Sequence, residues 1–181
     1  MACVARTLRQ STPGPLLLVN GAFRVDPSVD ADDVIDIADT WFAERQRGWL
    51  TTDAEAAAFV AMNDAAYTSL GMPPGVFSAV QCAPVRSTPD TITVGAFDNE
   101  ELVSGAQVTF SHGIAGVYGV GTALHARGRG LAELVTRAVT NIGFDGGMPY
   151  VTLLATSMGE PIYWKLGYRE LYRFANFTRF A

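Results

Sequence analysis

The chain has 181 residues, 49% of them hydrophobic and 17% charged, which fits one well-packed domain and argues against intrinsic disorder. Its net charge of −5 disfavours nucleic acid as a partner, because binding phosphates needs a basic face. Residues 16–19 are too short an aliphatic patch to cross a bilayer, and residues 1–10 lack a signal-peptide core. We therefore expect a cytoplasmic protein with no membrane partner. Cys3 and Cys82 have neither disulfide-framework nor metal-site spacing, so no metal is expected.

The beginning of the chain is predicted to contain a mobile arm, a strand and a helix. Residues 1–15 form the arm, and residues 16–25 contain the strand. Residues 30–47 begin with carboxylates and continue with apolar residues at helical spacing, which predicts a helix ended by Gly48. Residues 49–51 are predicted to be a short strand.

A second helix is predicted from a start signal. Thr52 and Glu55 have the form of a capping box, in which each side chain satisfies a free backbone N–H of the first turn. The helix continues through Leu70, and Tyr67 on it is interpreted as a core aromatic residue. Residues 76–83, which follow, are predicted to be extended.

The middle of the chain has the period of β-strands. Alternating apolar residues predict a hairpin over residues 91–110, and a further strand over residues 114–124. Gly116, Gly119 and Gly121 weaken that last strand. The usual reasons for such glycines are a β-bulge or a ligand that lies against bare backbone.

The end of the chain alternates helices with strands. Apolar residues recur at helical spacing over residues 131–142, and residues 150–155 form a short buried strand. Strand, helix and strand predict a right-handed parallel crossover. Ser157 and Glu160 are predicted to cap a short helix, and residues 168–180 form the last strand.

The turn between the glycine-rich strand and the long helix is typical of an anion-binding site. Gly128 and Gly130 let the backbone approach a ligand, and the helix that follows directs unpaired N–H groups and its positive dipole end at the turn. Arg127 and Arg129 add full positive charges, which suit phosphate oxygens.

This stretch also resembles a known family. Arg127-Gly128-Arg129-Gly130-Leu131-Ala132 fits the R/Q-x-x-G-x-G/A signature of the GNAT superfamily of acetyl-CoA-dependent N-acetyltransferases. Tyr163-Trp164-Lys165-Leu166-Gly167-Tyr168 resembles its closing Y-x-x-L-G-F element, with tyrosine for phenylalanine. The resemblance covers residues 91–179. It implies an α/β (α+β) fold, with a mixed, mostly antiparallel central sheet flanked by helices on both faces. The domain would span residues 16–181, with a divergent half over 16–89 and an acetyl-CoA-binding half over 90–181.

The resemblance also implies a site for acetyl-CoA as co-substrate. In the family, a strand splays from its parallel neighbour and pantetheine lies along the freed backbone. The coenzyme-binding residues implied here are Val120, Thr122, Arg127, Gly128, Arg129, Gly130, Leu131, Ala132 and Ser157. Tyr163 aligns with the family tyrosine that gives its phenolic proton to the coenzyme sulfur. Leu124 departs from the family by standing where many relatives have proline.

The function implied is acetyl transfer to a primary amine of a small molecule, which would be the partner, with a homodimer as an open alternative to a monomer. The general base is not identified; the candidates are Tyr118, His112, Glu100 and Glu101. Because the splayed strand has no carboxylate, a GNAT-like module that binds acyl-CoA without turnover is the alternative. A dinucleotide-binding turn fits less well, because Glu133 stands in place of its third glycine.

Overall fold

The computed structural model describes residues 22–24, 47–80 and 90–173. In these residues the strands are β1 Ala22–Arg24, β2 Arg47–Trp49, β3 Thr91–Asp98, β4 Glu101–Ser111, β5 Ile114–Thr122, β6 Val151–Leu153 and β7 Tyr168–Glu170. The helices are α1 Asp53–Thr68, α2 Val76–Val80, α3 Leu131–Asp145 and α4 Glu160–Lys165, with a 3₁₀ turn at Leu124–Ala126. The predicted arm over residues 1–15 and most of the predicted helix over 30–47 lie outside the described residues.

A five-stranded sheet in the order β2-β3-β4-β5-β6 forms the centre of the fold. Its strands pair antiparallel except for β5 and β6, which are parallel. The helix α3 connects β5 to β6, so the predicted parallel crossover is confirmed. β1 pairs antiparallel with β7 in a second, two-stranded sheet. The predicted mixed, mostly antiparallel sheet is therefore confirmed.

Helices cover both faces of the central sheet. On one face, Val135 and Val139 of α3 are fully buried in a core cluster that includes Ala106 of β4. On the other face, a Cβ atom on Gly105 would lie 2.8 Å from the ring of Phe59 in α1. Because side chains of successive strand residues point to opposite faces, α1 and α3 pack on opposite sides of β4.

β5 contains a β-bulge. Gly105 of β4 pairs with Gly121, whereas Gln107 pairs with Tyr118, so two residues of β5 share one position of its partner. Gly119 is one of these two, and its φ of +58° lies in the left-handed region that glycine adopts readily. The predicted bulge is confirmed. It lies just beyond the segment of β5 that pairs with β6, which is Ala115–Val117.

Two predictions for the first half of the chain were wrong. The strand is Arg47–Trp49 rather than residues 49–51, and Arg47 pairs with Ala96 of β3 instead of ending a helix. Val76–Val80 is a short helix rather than an extended segment, and residues 81–83 lie outside the described residues. Its Phe77 is buried against the rings of α1, and this packing overrides the β-propensity of the valines.

The predicted capping box of α1 is confirmed. The side chain of Thr52 accepts a hydrogen bond from the N–H of Glu55, and the Glu55 carboxylate accepts one from the N–H of Thr52. The N–H groups of Thr52 and Thr51 and the hydroxyl of Thr52 all donate to the Glu55 carboxylate, and these bonds lower its pKa. The helix ends two residues before Leu70, at Thr68.

The second half differs from prediction at element ends. The helix α3 does not end before Gly143 but continues to Asp145. A Cβ atom on Gly143 would lie only 2.9 Å from Ala115, so glycine at this position lets the helix pack on the sheet. The helix α4 has Gly159 as its N-cap and no side-chain cap, so neither Ser157 nor Glu160 caps it; the hydroxyl of Thr156 accepts a hydrogen bond from the N–H of Gly159 just before the helix. The last strand ends at Glu170, and residues 174–180 lie outside the described residues. None of the described helices could span a bilayer.

Candidate active site

Beyond residue 117, the outer edge of β5 is open in the described structure. The carbonyl of Val120 lies 3.5 Å from the Tyr67 hydroxyl, and the carbonyl of Thr122 lies 3.4 Å from Nε of Arg127. The carbonyl of Gly121, between them, accepts a 2.8 Å bond from Ser104 of β4 instead. Because the N–H and C=O of one strand residue point the same way, Val120 and Thr122 both direct their main-chain groups away from β4. An extended ligand can pair with them as an added strand.

The turn after β5 offers a set of free amides. Gly128 and Gly130 have φ of +75° and +76°, and no atom lies within 4 Å of where their Cβ atoms would be. No side chain caps α3, which begins at Leu131. The amides of residues 128–132 form no hydrogen bond with the described part of the chain. A helix N-terminus with this geometry is suited to an anion.

The two arginines of the turn are already engaged. Arg127 donates to Ser69 Oγ at 2.8 Å and to the carbonyl of Ala66 at 3.2 Å, so it holds the C-terminal end of α1. Arg129 forms a 2.8 Å ion pair with Asp98 on the surface. Another element adds a further positive charge, because Lys165 of α4 lines the same cavity as the turn. Sequence reasoning missed this lysine, since it lies between the residues of the second motif.

A groove of about 350 Å³ joins the open edge of β5 to the glycine turn, and we call it the coenzyme groove after the ligand that the sequence motifs imply. The residues predicted from the sequence that line it are Val120, Thr122, Arg127, Gly128, Gly130, Leu131, Ala132 and Tyr163. Arg129 and Ser157 do not line it; Thr156 and Met158, on either side of Ser157, do. Eight of the ten residues named from the sequence are thus brought together.

Tyr163 is a buried residue of this groove, with an exposure of only 7%. Its ring packs on Gly159, where a Cβ atom would lie 2.8 Å away, and edge-on to Tyr168 at 6.1 Å. Among the described residues, its hydroxyl has no hydrogen-bond partner. Burial raises the pKa of Tyr163, and the neighbouring Tyr67 and Tyr168 raise it further, so the hydroxyl keeps its proton at neutral pH.

A second cavity of about 390 Å³ meets the coenzyme groove. Five residues line both, namely Tyr67, Val120, Leu154, Thr156 and Tyr163. We call these five the junction. A ligand in one cavity would meet a ligand in the other at the junction. Three of the junction residues, Tyr67, Thr156 and Tyr163, carry hydroxyls.

Tyr67 is the second residue that sequence reasoning missed. Its ring does pack as predicted, stacked on Phe77 at 5.3 Å with an interplanar angle of 13°. Its hydroxyl, however, reaches the Val120 carbonyl across the open edge of β5. Helical spacing indicates which face of α1 is buried, but it does not indicate which cavity the far end of a tyrosine will line.

The candidate bases are mostly distant from the junction. Tyr118 lines the second cavity. Glu100 and His112 lie in or beside the tight turns of the two hairpins, and Glu101 lies 3.6 Å from His125 on the surface. None of these three lines either cavity, so in the described structure Tyr118 alone of the four reaches the site.

Solved structures of other proteins resemble the fold of this chain. No protein-family model matches the chain, and no curated protein matches it. Among solved structures, a GCN5-related N-acetyltransferase from Kribbella flavida is 25% identical with a TM-score of 0.54, over 69% of this chain and 46% of its own. This chain thus spans less than half of that protein. A protein described as a predicted acetyltransferase from Clostridium acetobutylicum, crystallised with acetyl-CoA, is 14% identical with a TM-score of 0.58, over 74% of this chain and 96% of its own. A GCN5-related N-acetyltransferase from Ralstonia eutropha is also 14% identical, with a TM-score of 0.62, over 74% of this chain and 97% of its own.

The mixed, mostly antiparallel sheet and its parallel β5–β6 pair agree with the fold that the motifs imply. The chain therefore has the fold of the GNAT N-acetyltransferases.

Proposed function

We propose that this protein is an acyltransferase that moves the acetyl group of acetyl-CoA to a primary amine of a small molecule. The observation that carries the proposal is one continuous groove, in which the outward main chain of Val120 and Thr122 leads to the free amides of residues 128–132. The site fits a long ligand with amides at one end and a diphosphate at the other. Pantetheine and the pyrophosphate of CoA have this order.

The free amides of the turn would hold the diphosphate. The left-handed Gly128 and Gly130 leave the backbone bare, and α3 adds the positive end of its dipole. Lys165 supplies a full charge to the same groove. Arg127 acts indirectly, by fixing the turn to α1, and this refines the role that the sequence motif implies for it.

The open edge of β5 would hold pantetheine and the acetyl group. The N–H and C=O of Val120 can pair with a pantetheine amide or, through the N–H, with the thioester oxygen as it gains charge. Tyr163 would donate its phenolic proton to the departing sulfur, since it is protonated and lines both cavities. An alkylamine with a pKa near 10.4 must first lose a proton, a deficit of roughly 4 kcal/mol at neutral pH.

A second candidate is a module that binds acyl-CoA without turnover. It is supported by the second cavity, where the described lining contains neither a carboxylate nor an imidazole that would serve as a base. Thiol release from acetyl-CoA, measured with a panel of primary amines, separates the two. We expect amine-dependent release of one thiol per acetylated amine. Tight CoA binding by calorimetry without amine-dependent release would establish the binding module, and absence of CoA binding would refute both.

A further inference from the structure

The second cavity has a chemical character of its own. Beyond the junction its lining consists of Val117, Tyr118, Gly119, Leu153 and Ala155. All ten described residues that line the cavity are uncharged. Its polar side-chain groups are hydroxyls, and those of Tyr67, Thr156 and Tyr163 belong to the junction. Three of its four side-chain hydroxyls therefore lie where it meets the coenzyme groove, and apart from the hydroxyl of Tyr118 the side chains beyond the junction are apolar.

Tyr118 and Leu154 give the cavity apolar surface that is open to solvent. Tyr118 is 53% exposed and Leu154 is 51% exposed, although both are large and hydrophobic. The ring of Tyr118 lies back over Gly116, where a Cβ atom would come within 2.6 Å of its hydroxyl. Glycine at this position lets the ring lie flat along β5, so that it forms a wall of the cavity. Exposed apolar surface around a cavity is typical of a binding site.

We propose that the second cavity holds the acceptor, and that the acceptor is a primary amine carried on an apolar chain or ring, not a polycation. This rests on the proposed acetyl transfer. The amine nitrogen at the junction attacks the thioester carbon, the C–S bond breaks, and the sulfur takes the proton of Tyr163. The nitrogen loses one proton, which restores Tyr163 directly or through water. The products are one amide and one thiol.

The lining selects for such an acceptor in two ways. An apolar body fills the cavity and gains from leaving water, whereas a second ammonium would lose its hydration without meeting a counter-charge among the described lining residues. The same desolvation lowers the pKa of the reacting amine. The neutral, nucleophilic form is then favoured, although Tyr118 is the only candidate base that lines the cavity.

The test is a matched series of amines with the wild-type protein at saturating acetyl-CoA. From propylamine to pentylamine, kcat/KM should rise about fourfold for each added methylene, because each buried methylene contributes about this factor. Pentylamine should exceed 1,5-diaminopentane, which has the same chain and a second ammonium, by at least about tenfold. 2-Phenylethylamine should match or exceed pentylamine.

The results that contradict the inference are distinct from those that contradict the proposed function. A flat alkyl series, or 1,5-diaminopentane equal to or better than pentylamine, overturns the apolar acceptor and leaves acetyl transfer standing. Absence of thiol release with every amine overturns the transferase, and the acceptor assignment with it.

A charge placed in the cavity gives an independent readout. Tyr118→Asp should lower kcat/KM for pentylamine and raise it for 1,5-diaminopentane, with unchanged calorimetric affinity for CoA. Ser111→Asp is the matched control, since it adds the same charge at the exposed end of β4, outside both cavities, and should leave the preference unchanged. An identical change in both variants would refute the assignment. If Tyr118→Asp fails to fold, the wild-type series alone decides.

Discussion

Replacing Tyr163 by phenylalanine removes one oxygen atom and nothing else from the site. The ring that packs on Gly159 and edge-on to Tyr168 is retained. The hydroxyl forms no hydrogen bond with the described residues, so its removal leaves no buried donor or acceptor unpaired. We therefore expect the free energy of unfolding of Tyr163→Phe to stay within about 1 kcal/mol of the wild type.

The loss of activity should be much larger. General acids contribute about 10² to 10⁴ in rate. The coenzyme groove is open to solvent, and water can replace part of the lost proton donation, so we expect a decrease near the lower limit. A roughly 100-fold fall in kcat corresponds to about 2.7 kcal/mol of lost transition-state stabilisation. The affinity for CoA should not change, because the amides and main-chain groups proposed to hold it remain.

The assay is thiol release under saturating acetyl-CoA and amine, paired with thermal unfolding. Tyr168→Phe is the reciprocal control, because its hydroxyl is buried against Thr140 at 2.5 Å and Tyr168 lines neither cavity. That variant should lose about 1 kcal/mol of stability and keep its kcat. Since burial raises the pKa of Tyr163, the wild-type profile should show no loss from this group below about pH 10. A Tyr163→Phe kcat within twofold of wild type would remove the acid from the mechanism.

Three further variants test the structure around the site. Arg127→Ala should lower the free energy of unfolding by about 1–2 kcal/mol in denaturant titration, because it frees the end of α1. Arg129→Ala loses only an exposed ion pair and should lower the same free energy by less than about 1 kcal/mol. Gly159→Ala should reduce kcat in the thiol-release assay about as much as Tyr163→Phe, since its Cβ would displace the Tyr163 ring. Thr52→Ala should cost about 1 kcal/mol at pH 7. The lowered pKa of Glu55 means that its contribution is present above pH 4.5 and is lost as the pH falls through the folded-state value. The stability difference between wild type and Thr52→Ala should narrow over that range without vanishing, because the bond from the Glu55 N–H to the Thr52 hydroxyl does not depend on pH.

Local patterns in the sequence predicted the elements whose cause is local. The capping box of Thr52 and Glu55 and the apolar stripe that begins at Leu131 each depend on neighbours within a few residues, and the structure has both. The glycines of β5 indicated either a bulge or a close ligand, and the bulge is present. Most of the residues named for the coenzyme groove lie in one continuous segment, which is why eight of ten line it.

Tertiary contacts decided what the sequence did not predict. The valines at positions 76 and 80 favour a strand, but α2 forms where Phe77 packs on α1. The sequence analysis assigned Arg127 and Arg129 to phosphate binding. In the structure, Arg127 instead bonds to the end of α1, to residues that are 58 and 61 positions away in the chain. No local pattern reveals a partner so far along the chain. The sequence alone therefore cannot distinguish an arginine that binds a ligand from one that holds the motif in place.

The glycines of β5 also explain why Tyr67 reaches the site. Phe59, Asn63 and Tyr67 lie four residues apart and so share one face of α1. A Cβ atom at Gly119 would lie 3.0 Å from the Phe59 ring, and one at Gly121 only 2.1 Å from Oδ1 of Asn63. Bare backbone at these positions is therefore what lets α1 approach β5 closely enough for Tyr67, one turn beyond Asn63, to meet the Val120 carbonyl. The residues that weaken β5 as a strand thus open its outer edge and bring the helix that carries Tyr67 to it, and both effects are needed to place hydroxyls from α1 and α4 at the junction.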